Sequence, residues 1–181
     1  MTVAERSSLF VDAGATFSPN RRYRYRLWRR WAEGRAVLWV MLNPSTADEH
    51  VLDPTLRRCA AFARAWGFGR FDVCNLFALR STDPKAIYTA ADPVGPGNDD
   101  EIVNAAMDAD LVLVGWGVHG EFQARAEAVT TKLLGACPAV WCLGLSKDGH
   151  PKHPLYLPAA TKRELFRARS CTHHLGSVGG E

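Results

Sequence analysis

Four uninterrupted apolar runs divide the chain, and polar or amphipathic stretches separate them. Each run has the length of a strand; they are Ala36–Leu42, Phe71–Leu76, Leu111–Gly115 and Ala139–Leu143. Apolar runs of this length are typical of strands that are covered on both faces, as in a parallel sheet. Helical spacing of apolar positions is found in the segments between them: 54–66, Asn98–Asp108 and Phe122–Leu134. Asp53 and Pro54 are suited to cap and start the first helix, and Gly67 to end it.

Strands that alternate with helices predict an α/β fold, a three-layer sandwich with a mostly parallel, four-stranded central sheet. The length of 181 residues fits a single domain over 1–181. Within it we expect an irregular lead-in over 1–18 with a short strand at Ser8–Val11. We also expect a short helix near Ala159 and a loose tail at 172–181.

A basic segment precedes the first apolar run. In RRYRYRLWRRW the polar and apolar residues alternate with period two, which predicts a strand at the edge of the sheet or in an N-terminal hairpin. One side carries Arg22, Arg24, Arg26 and Trp28, and the other carries Tyr23, Tyr25 and Leu27. Seven arginines and a single acid, Glu33, lie between residues 19 and 35. This stripe is either a phosphate-binding footprint or a solvated strand face.

Composition excludes several classes of protein. The formal net charge is +3, and no apolar run approaches the roughly 18 residues that a membrane span requires. The N-terminal residues do not have the pattern of a signal peptide. Five cysteines without a C-x-x-C pair argue against a disulfide framework and against a thiolate metal cage. We therefore expect a cytoplasmic protein without a cofactor; the sequence leaves the oligomeric state open.

Polar residues follow the ends of the predicted strands. They are Asn43, Asn75, Trp116, His150 and His153. In open parallel sheets ligands bind outside the carboxyl ends of the strands, so these residues are candidates for one site. The Asn43 carboxamide is able to hold a water molecule, and the Asn75 carboxamide offers a donor and an acceptor to the edge of a nucleobase. The alternatives are a capping turn at Asn43 and a satisfied core amide at Asn75.

Two histidines three residues apart lie in the loop 150–154. A metal site would need a third ligand; His119, Asp48 and Asp148 are available, but the spacing matches no known metal motif, so we predict no metal. An imidazole at this edge is able to donate to the negative charge that develops on a leaving group. A serine hydrolase is disfavoured because the chain lacks a G-x-S-x-G elbow. Cys74 and Cys142 fall within strands and are expected in the core.

Several motifs resemble the DUF1643 family, a set of small bacterial and phage proteins of undefined function. The resemblance runs over most of the chain: YRY…W, MLNPSTAD at 41–48, DPTLRRC at 53–59, NLFALRSTDP at 75–84, DPVGPGND at 92–99, GWGVHG at 115–120 and GLSKDGHPKHPLYL at 144–157.

The order of the strand-end motifs also resembles, more distantly, the uracil-DNA glycosylase superfamily. There an Asn-Pro motif after the first strand positions the attacking water, which implies that role for Asn43 in Leu42-Asn43-Pro44. A later strand-end Asn reads the base, which implies Asn75. A His-Pro loop holds the base anion and the nucleic-acid backbone, which implies His150 with Pro151, and His153 as the neighbouring imidazole. Lys152 stands where that family has a serine, and Met41-Leu42 where it has a glycine; its acidic water activator has no counterpart unless Asp48 serves.

This resemblance implies a nucleic-acid base N-glycosylase that binds an extruded base and hydrolyses its N-glycosidic bond. Candidates for stacking on the base are Phe62, Phe77 and Trp116. Candidates for binding phosphate are Arg22, Arg24, Arg26, Arg80 and Lys152. The partner would be a nucleic acid, DNA before RNA, or a nucleotide, and no membrane. Two alternatives stay open: a non-catalytic nucleotide-binding or nucleic-acid-binding module on the same fold, and an enzyme that acts on a free nucleoside or nucleotide.

Overall fold

The computed structural model describes residues 10–45 and 53–168, which form one mixed α/β sheet structure. Its strands are β1 (Asp12–Phe17), β2 (Arg24–Arg30), β3 (Ala36–Met41), β4 (Arg70–Asn75), β5 (Leu111–Val114), β6 (Ala139–Cys142) and β7 (Glu164–Ala168). Its α-helices are α1 (Pro54–Ala65), α2 (Asn98–Met107) and α3 (Arg125–Ala136). Short 3-10 segments lie at Pro84–Tyr88, Val118–Ala124 and Pro154–Tyr156. The four predicted apolar strands are β3 to β6, and each is confirmed to within one residue at either end.

The sheet is larger than the sequence predicts. Seven strands, not four, are present in the described residues, in the order β1-β2-β4-β3-β5-β6-β7. The four central strands β4, β3, β5 and β6 are mutually parallel. The outer strands β1, β2 and β7 run antiparallel to their neighbours. The prediction counted the fully buried strands and missed the partly exposed ones, because those lack a continuous apolar run.

The basic segment is β2, and its predicted place at the edge is wrong. The predicted hairpin is confirmed, since β1 and β2 pair through a turn in which the Arg21 amide donates to the Ser18 carbonyl at 2.8 Å. β1 is the edge strand, so β2 lies between β1 and β4. The expected strand at Ser8–Val11 is displaced: β1 begins at Asp12, and residues 8–9 lie outside the described ranges.

The helix predicted near Ala159 is also wrong. A turn at 159–160 leads instead into β7, which pairs antiparallel with β6. The Phe166 ring on this strand packs edge-on against Trp116, with ring centroids 5.9 Å apart. The contact buries the apolar Phe166 ring against the sheet. This burial favours a strand more than the weak helical pattern of the segment favours a helix. The tail predicted at 172–181 lies outside the described residues.

Two apolar layers cover the central strands, and alternation along each strand assigns its side chains to one layer or the other. On β3, Trp39 and Met41 join the cluster packed by α1, which we call the α1 side. Val40 and Leu42 join the cluster packed by α2 and α3, which we call the α2–α3 side. For other residues within the central strands, the same alternation tells which of the two layers the side chain joins.

The start of α1 is confirmed as the sequence predicts. The Asp53 carboxylate accepts the Leu56 amide hydrogen at 2.8 Å, and Pro54 occupies the first turn. Cys59, Cys74, Cys137 and Cys142 are buried free thiols, and Cys171 lies outside the described ranges. Over residues 10–45 and 53–168, no helix is both long and apolar enough to span a bilayer. The same residues contain no cluster of metal-ligating side chains.

Candidate functional site

The strand order places a topological switch point at the carboxyl ends of β3 and β5. The chain leaves β3 toward β4 on one side and leaves β5 toward β6 on the other. Such a reversal between adjacent parallel strands separates the two following loops and is where doubly wound sheets bind ligands. The candidate residues at this edge can therefore be compared by the side of the sheet on which they lie.

Asn43 lies two residues after the end of β3, and its amide nitrogen is already engaged. Nδ2 donates to the Ser81 carbonyl at 2.9 Å and to the Pro44 carbonyl at 3.4 Å. The Ser81 amide donates back to the Pro44 carbonyl at 2.9 Å, so the two loops are tied together. No described residue donates to Oδ1 of Asn43. The half-buried side chain thus has a fixed orientation and an oxygen available to a water molecule.

Asp53 joins the loop after β3 to the start of α1. Its Oδ2 accepts the Ser45 hydroxyl hydrogen at 3.0 Å, while its Oδ1 accepts the Leu56 amide hydrogen. The Asp53 charge acts on two groups nearby, since it raises the pKa values of both Arg24 and His153 against the effect of burial. Asp53 is therefore hydrogen-bonded to the loop after β3 and within electrostatic reach of a residue of β2 and of one in the loop after β6.

Asn75 ends β4 beside Asn43's strand. It is the Cα partner of Met41, and alternation places its side chain on the α1 side. The residue is 2% exposed, and its Nδ2 donates to no partner. Its backbone carbonyl accepts Nδ2 of Asn98 at 3.0 Å, which holds the end of β4 from the opposite side. A buried amide donor without an acceptor is uncommon in native structures and points to a missing partner.

His153 enters this edge from the loop after β6. Its Nδ1 accepts the Leu155 amide hydrogen at 3.3 Å. Burial lowers the pKa of His153, while the charge of Asp53 opposes this effect. The neutral ring with Nδ1 as acceptor carries its hydrogen on Nε2. The loop packs so closely on Gly115 that a Cβ there would lie 3.1 Å from Cδ of Pro154, so a larger residue at 115 would displace it.

His150 is directed elsewhere. Its Nε2 lies 3.6 Å from Oε1 of Glu121, in the 3-10 segment before α3. Its backbone instead braces the loop: the Ser146 amide donates to the His150 carbonyl, and the His150 amide donates to the Ser146 hydroxyl. Lys152 is exposed, and its amide donates to the Gly144 carbonyl. The structure therefore places His153, and not His150, within electrostatic reach of Asp53.

The aromatic candidates are packed into the two core layers. Phe77 is fully buried and its ring centroid lies 5.9 Å from that of Phe122. Trp116 is 3% exposed and packs on Phe166. Phe62 is buried on the α1 side against Trp66. Packing in the core is sufficient to explain the positions of all three rings. That one of them stacks on a base stays a prediction.

The predicted phosphate-binding arginines do not share one face. Arg26 donates Nε to Asp72 at 3.0 Å and also contacts Asp108 and Glu101, so it belongs to an acidic network beside α2. Arg24 is 3% exposed and lies within the electrostatic reach of Asp53. The separation follows from an irregular register, in which Thr16 pairs with Arg26 and Phe17 pairs with Arg24, so that Tyr25 is skipped.

Arg22 and Arg80 lie at the outer rim of this edge. Arg22 is exposed, and Nη1 of half-buried Arg80 donates to the Arg21 carbonyl at 3.1 Å. The guanidinium carbons of Arg21 and Arg80 lie 3.9 and 5.1 Å from the centroid of the Phe17 ring. These groups form a basic rim beside the segment that follows β4.

Sequence reasoning missed two features of the site. Asp53 was recognised as a helix cap but not as the link between loops, which depends on its contact with Ser45. The buried Arg125 was not recognised at all; it donates to the Leu76 carbonyl and pairs with Asp99 at 2.6 Å, supporting the end of β4 from the α2–α3 side. An arginine opening an otherwise amphipathic helix offered no sequence signal for this role.

The depressed pKa of His153 predicts a pH dependence of stability. Below its ordinary value near 6.5, the unfolded chain takes up a proton more readily than the folded protein. Above that value the protonation of His153 therefore does not lower the free energy of unfolding. The free energy of unfolding decreases as the pH falls from that value toward the pKa of His153 in the folded protein. Urea unfolding at pH 7.5 and 5.0 should show a smaller loss for His153→Gln than for the wild type. Equal losses would contradict the prediction, and His119→Gln controls for removing a histidine elsewhere.

Comparison with known proteins gives one family match. The profile described as "Protein of unknown function (DUF1643)" matches residues 24–155. This range includes β2 to β6, the three α-helices of the described residues and every predicted site residue except Arg22; Phe17 and Arg21 of the basic rim also lie outside it. No curated protein and no solved structure matches the chain.

Proposed function

The chain belongs to the DUF1643 family, and we propose that this protein binds a nucleobase-bearing ligand at the carboxyl ends of β3 and β4 and hydrolyses its N-glycosidic bond. The proposal rests on one observation: Asn43, just after β3, and Asn75, at the end of the neighbouring β4, each have a side-chain atom without a protein partner. His153 lies within electrostatic reach of Asp53, whose carboxylate binds Ser45 in the loop after β3. The resemblance of the Asn-Pro and His-Pro motifs to the uracil-DNA glycosylase superfamily is a second, weaker support.

Asn43 would position the attacking water. Because Ser81 and Pro44 hold its Nδ2, the Oδ1 atom is oriented without further ordering and accepts one hydrogen of the water. A fixed water reduces the entropy cost of bringing a nucleophile to the anomeric carbon. The electron pair of the cleaved C–N bond passes to the base, and the water oxygen forms the new bond to the sugar. The proton that the water loses is taken up by the departing base anion, so the products are the neutral free base and an abasic sugar.

Asn75 and the His153 imidazole would act on the base. The unpartnered Nδ2 of Asn75 is a donor for a carbonyl on the base. The neutral His153 ring donates through Nε2 to the negative charge that develops as the base leaves. A buried donor of this kind is effective because the surrounding protein, not mobile water, provides the stabilisation.

The basic rim favours a polymeric ligand, with DNA as the first substrate to test. Arg21 and Arg80 lie over the Phe17 ring, exposed Arg22 is next to Arg21, and the three would contact successive phosphates. Binding through several phosphates releases counterions, so affinity should fall steeply with salt. Weak salt dependence would instead favour a free nucleoside or nucleotide as the ligand.

Binding without turnover is the second candidate. The Asp53 carboxylate is central to this edge, yet both of its oxygens already accept protein hydrogen bonds. A water on Asn43 would therefore lack a strong general base from Asp53. This observation favours a nucleotide-binding or nucleic-acid-binding module if hydrolysis fails.

Mass spectrometry of free bases tests the proposal. The full chain is incubated with single-stranded and duplex oligonucleotides that carry a panel of modified bases, and binding of the same oligonucleotides is measured in parallel. We expect release of at least one base together with an abasic product. Binding without release would reject hydrolysis in favour of the binding module, and absence of both would reject a nucleic-acid ligand.

A further inference from the structure

Arg24 is a buried cation whose hydrogen-bonding capacity is not used by the protein. It is 3% exposed, and neither Nε nor Nη1 has a partner. Its amide donates to the Ala78 carbonyl at 2.9 Å, which places the residue beside the end of β4. Burying a guanidinium without partners is costly, so such a group normally has a carboxylate, a phosphate or carbonyl oxygens within reach.

The nearest identified opposite charge does not meet this need. Asp53 attracts Arg24 electrostatically, but neither Nε nor Nη1 of Arg24 donates to its carboxylate, whose partners are Ser45 and Leu56. Burial lowers the pKa of Arg24 to about 10, and the neighbouring charges of Arg80 and Arg29 lower it further against the opposing charge of Asp53. At neutral pH Arg24 is thus still positively charged, in a neighbourhood that has more positive than negative charge.

Asn75 adds a second unused donor at the same edge. Leu27 of β2 pairs with Val73 of β4, so Arg24 and Asn75 occupy the neighbouring ends of these two strands. Asn75 is 2% exposed, and its Nδ2 is also unpartnered. Two buried donors with no acceptor, one of them charged, require a ligand with acceptor oxygens and negative charge.

We propose that Arg24 and Asn75 form an internal subsite for a single oxyanion of the phosphate type. This differs from the basic rim, where exposed arginines would contact a backbone through solvent. The subsite shares Asn75 with the proposed contact to the base: Nδ2 carries two hydrogens, one for the oxyanion and one for a base carbonyl. The subsite concerns binding alone, so inorganic phosphate tests it without the proposed hydrolysis. A phosphate ester would fill the subsite by inserting its own phosphate group into the protein. A free phosphate ion would instead bind there as an inorganic anion.

Phosphate titration at constant ionic strength tests the subsite. The wild-type melting temperature should rise with inorganic phosphate but not with the equivalent chloride, since a ligand that binds the folded state stabilises it. Arg24→Met should lose this response, with phosphate affinity by calorimetry falling about 10- to 100-fold. Arg35→Gln, which removes an exposed arginine directly before β3 and thus at the opposite end of the strands, should keep the response.

A second variant keeps the test decisive if Arg24→Met fails to fold. Asn75→Asp has nearly the same shape, removes the donor and introduces a negative charge beside Arg24. It should abolish the phosphate response and raise the melting temperature in phosphate-free buffer. An unchanged phosphate response in Asn75→Asp, or a wild type that responds equally to chloride, would overturn the proposal.

Comparison of ligands identifies the source of the oxyanion. A nucleoside 5′-monophosphate that binds more tightly than both inorganic phosphate and the parent nucleoside would assign the subsite to a ligand-borne phosphate. Equal affinity for phosphate and the monophosphate would assign it to the free ion. Base release, measured on the same samples, is not needed for either result.

Discussion

Replacing Asn43 with alanine should reduce base release by at least about 100-fold while leaving binding of the oligonucleotide within a few-fold of the wild type. Both effects follow from the position of the side chain. Nδ2 is held by the Ser81 and Pro44 carbonyls, so Oδ1 points in one direction and its loss removes the water's acceptor. The base itself would be held by Asn75 and His153, which the substitution does not touch.

The Asn43→Ala measurement needs a structural control, because the substitution also removes the bond to Ser81. Unfolding in urea shows whether the variant is folded under assay conditions. Asn104→Ala removes an exposed asparagine of α2 and should retain full release. A variant that releases base at the wild-type rate, or loses release and binding equally, would contradict the role of Asn43 in positioning water.

Replacing Asp72 with alanine should lower the free energy of unfolding by about 3–5 kcal/mol. Asp72 is a 2% exposed residue of β4 whose Oδ1 accepts from Arg26 at 3.0 Å and from Arg70 at 2.7 Å. Removing the carboxylate leaves the Arg26 guanidinium, 11% exposed, without its buried partner. The remaining contacts of Arg26, with Asp108 and at 3.8 Å with Glu101, are longer or more exposed to solvent and compensate little.

Urea unfolding of three variants separates burial from ion pairing. Glu33→Ala removes an equally short pair with Arg30, at 2.6 Å, but Glu33 is 88% exposed, so a loss below about 1 kcal/mol is expected. Adding Arg26→Met to Asp72→Ala should recover part of the lost stability, because it removes the unpaired buried charge. Similar losses in Asp72→Ala and Glu33→Ala would show that burial of the pair contributes nothing.

Local patterns in the sequence were sufficient for the central part of the fold. The apolar runs of β3 to β6 are covered on both faces, and burial of a whole strand leaves a continuous pattern that can be read without knowing its neighbours. The start of α1 was equally predictable, because a capping aspartate and a proline act on the amides of their own first turn. Strand-end positions of Asn43 and Asn75 followed from the same runs.

The outer strands and the directions of the site residues were decided by tertiary structure. β7 forms where the sequence suggests a helix, since its stability comes from pairing with β6 and from Phe166 packing on Trp116. Arg24 and Arg26 look equivalent in the sequence, but the skipped Tyr25 in the β1–β2 register sends them to different surroundings. His150 and His153 were likewise indistinguishable until the folded loop directed one toward Glu121 and the other toward Asp53.

The sequence by itself determined which segments are buried strands and helices, because burial and capping act over a few neighbouring residues. The tertiary structure alone decided which polar side chains share a site and which of them lack partners. These properties depend on register shifts and loop packing between residues far apart in the chain, and a periodic pattern contains no information about them.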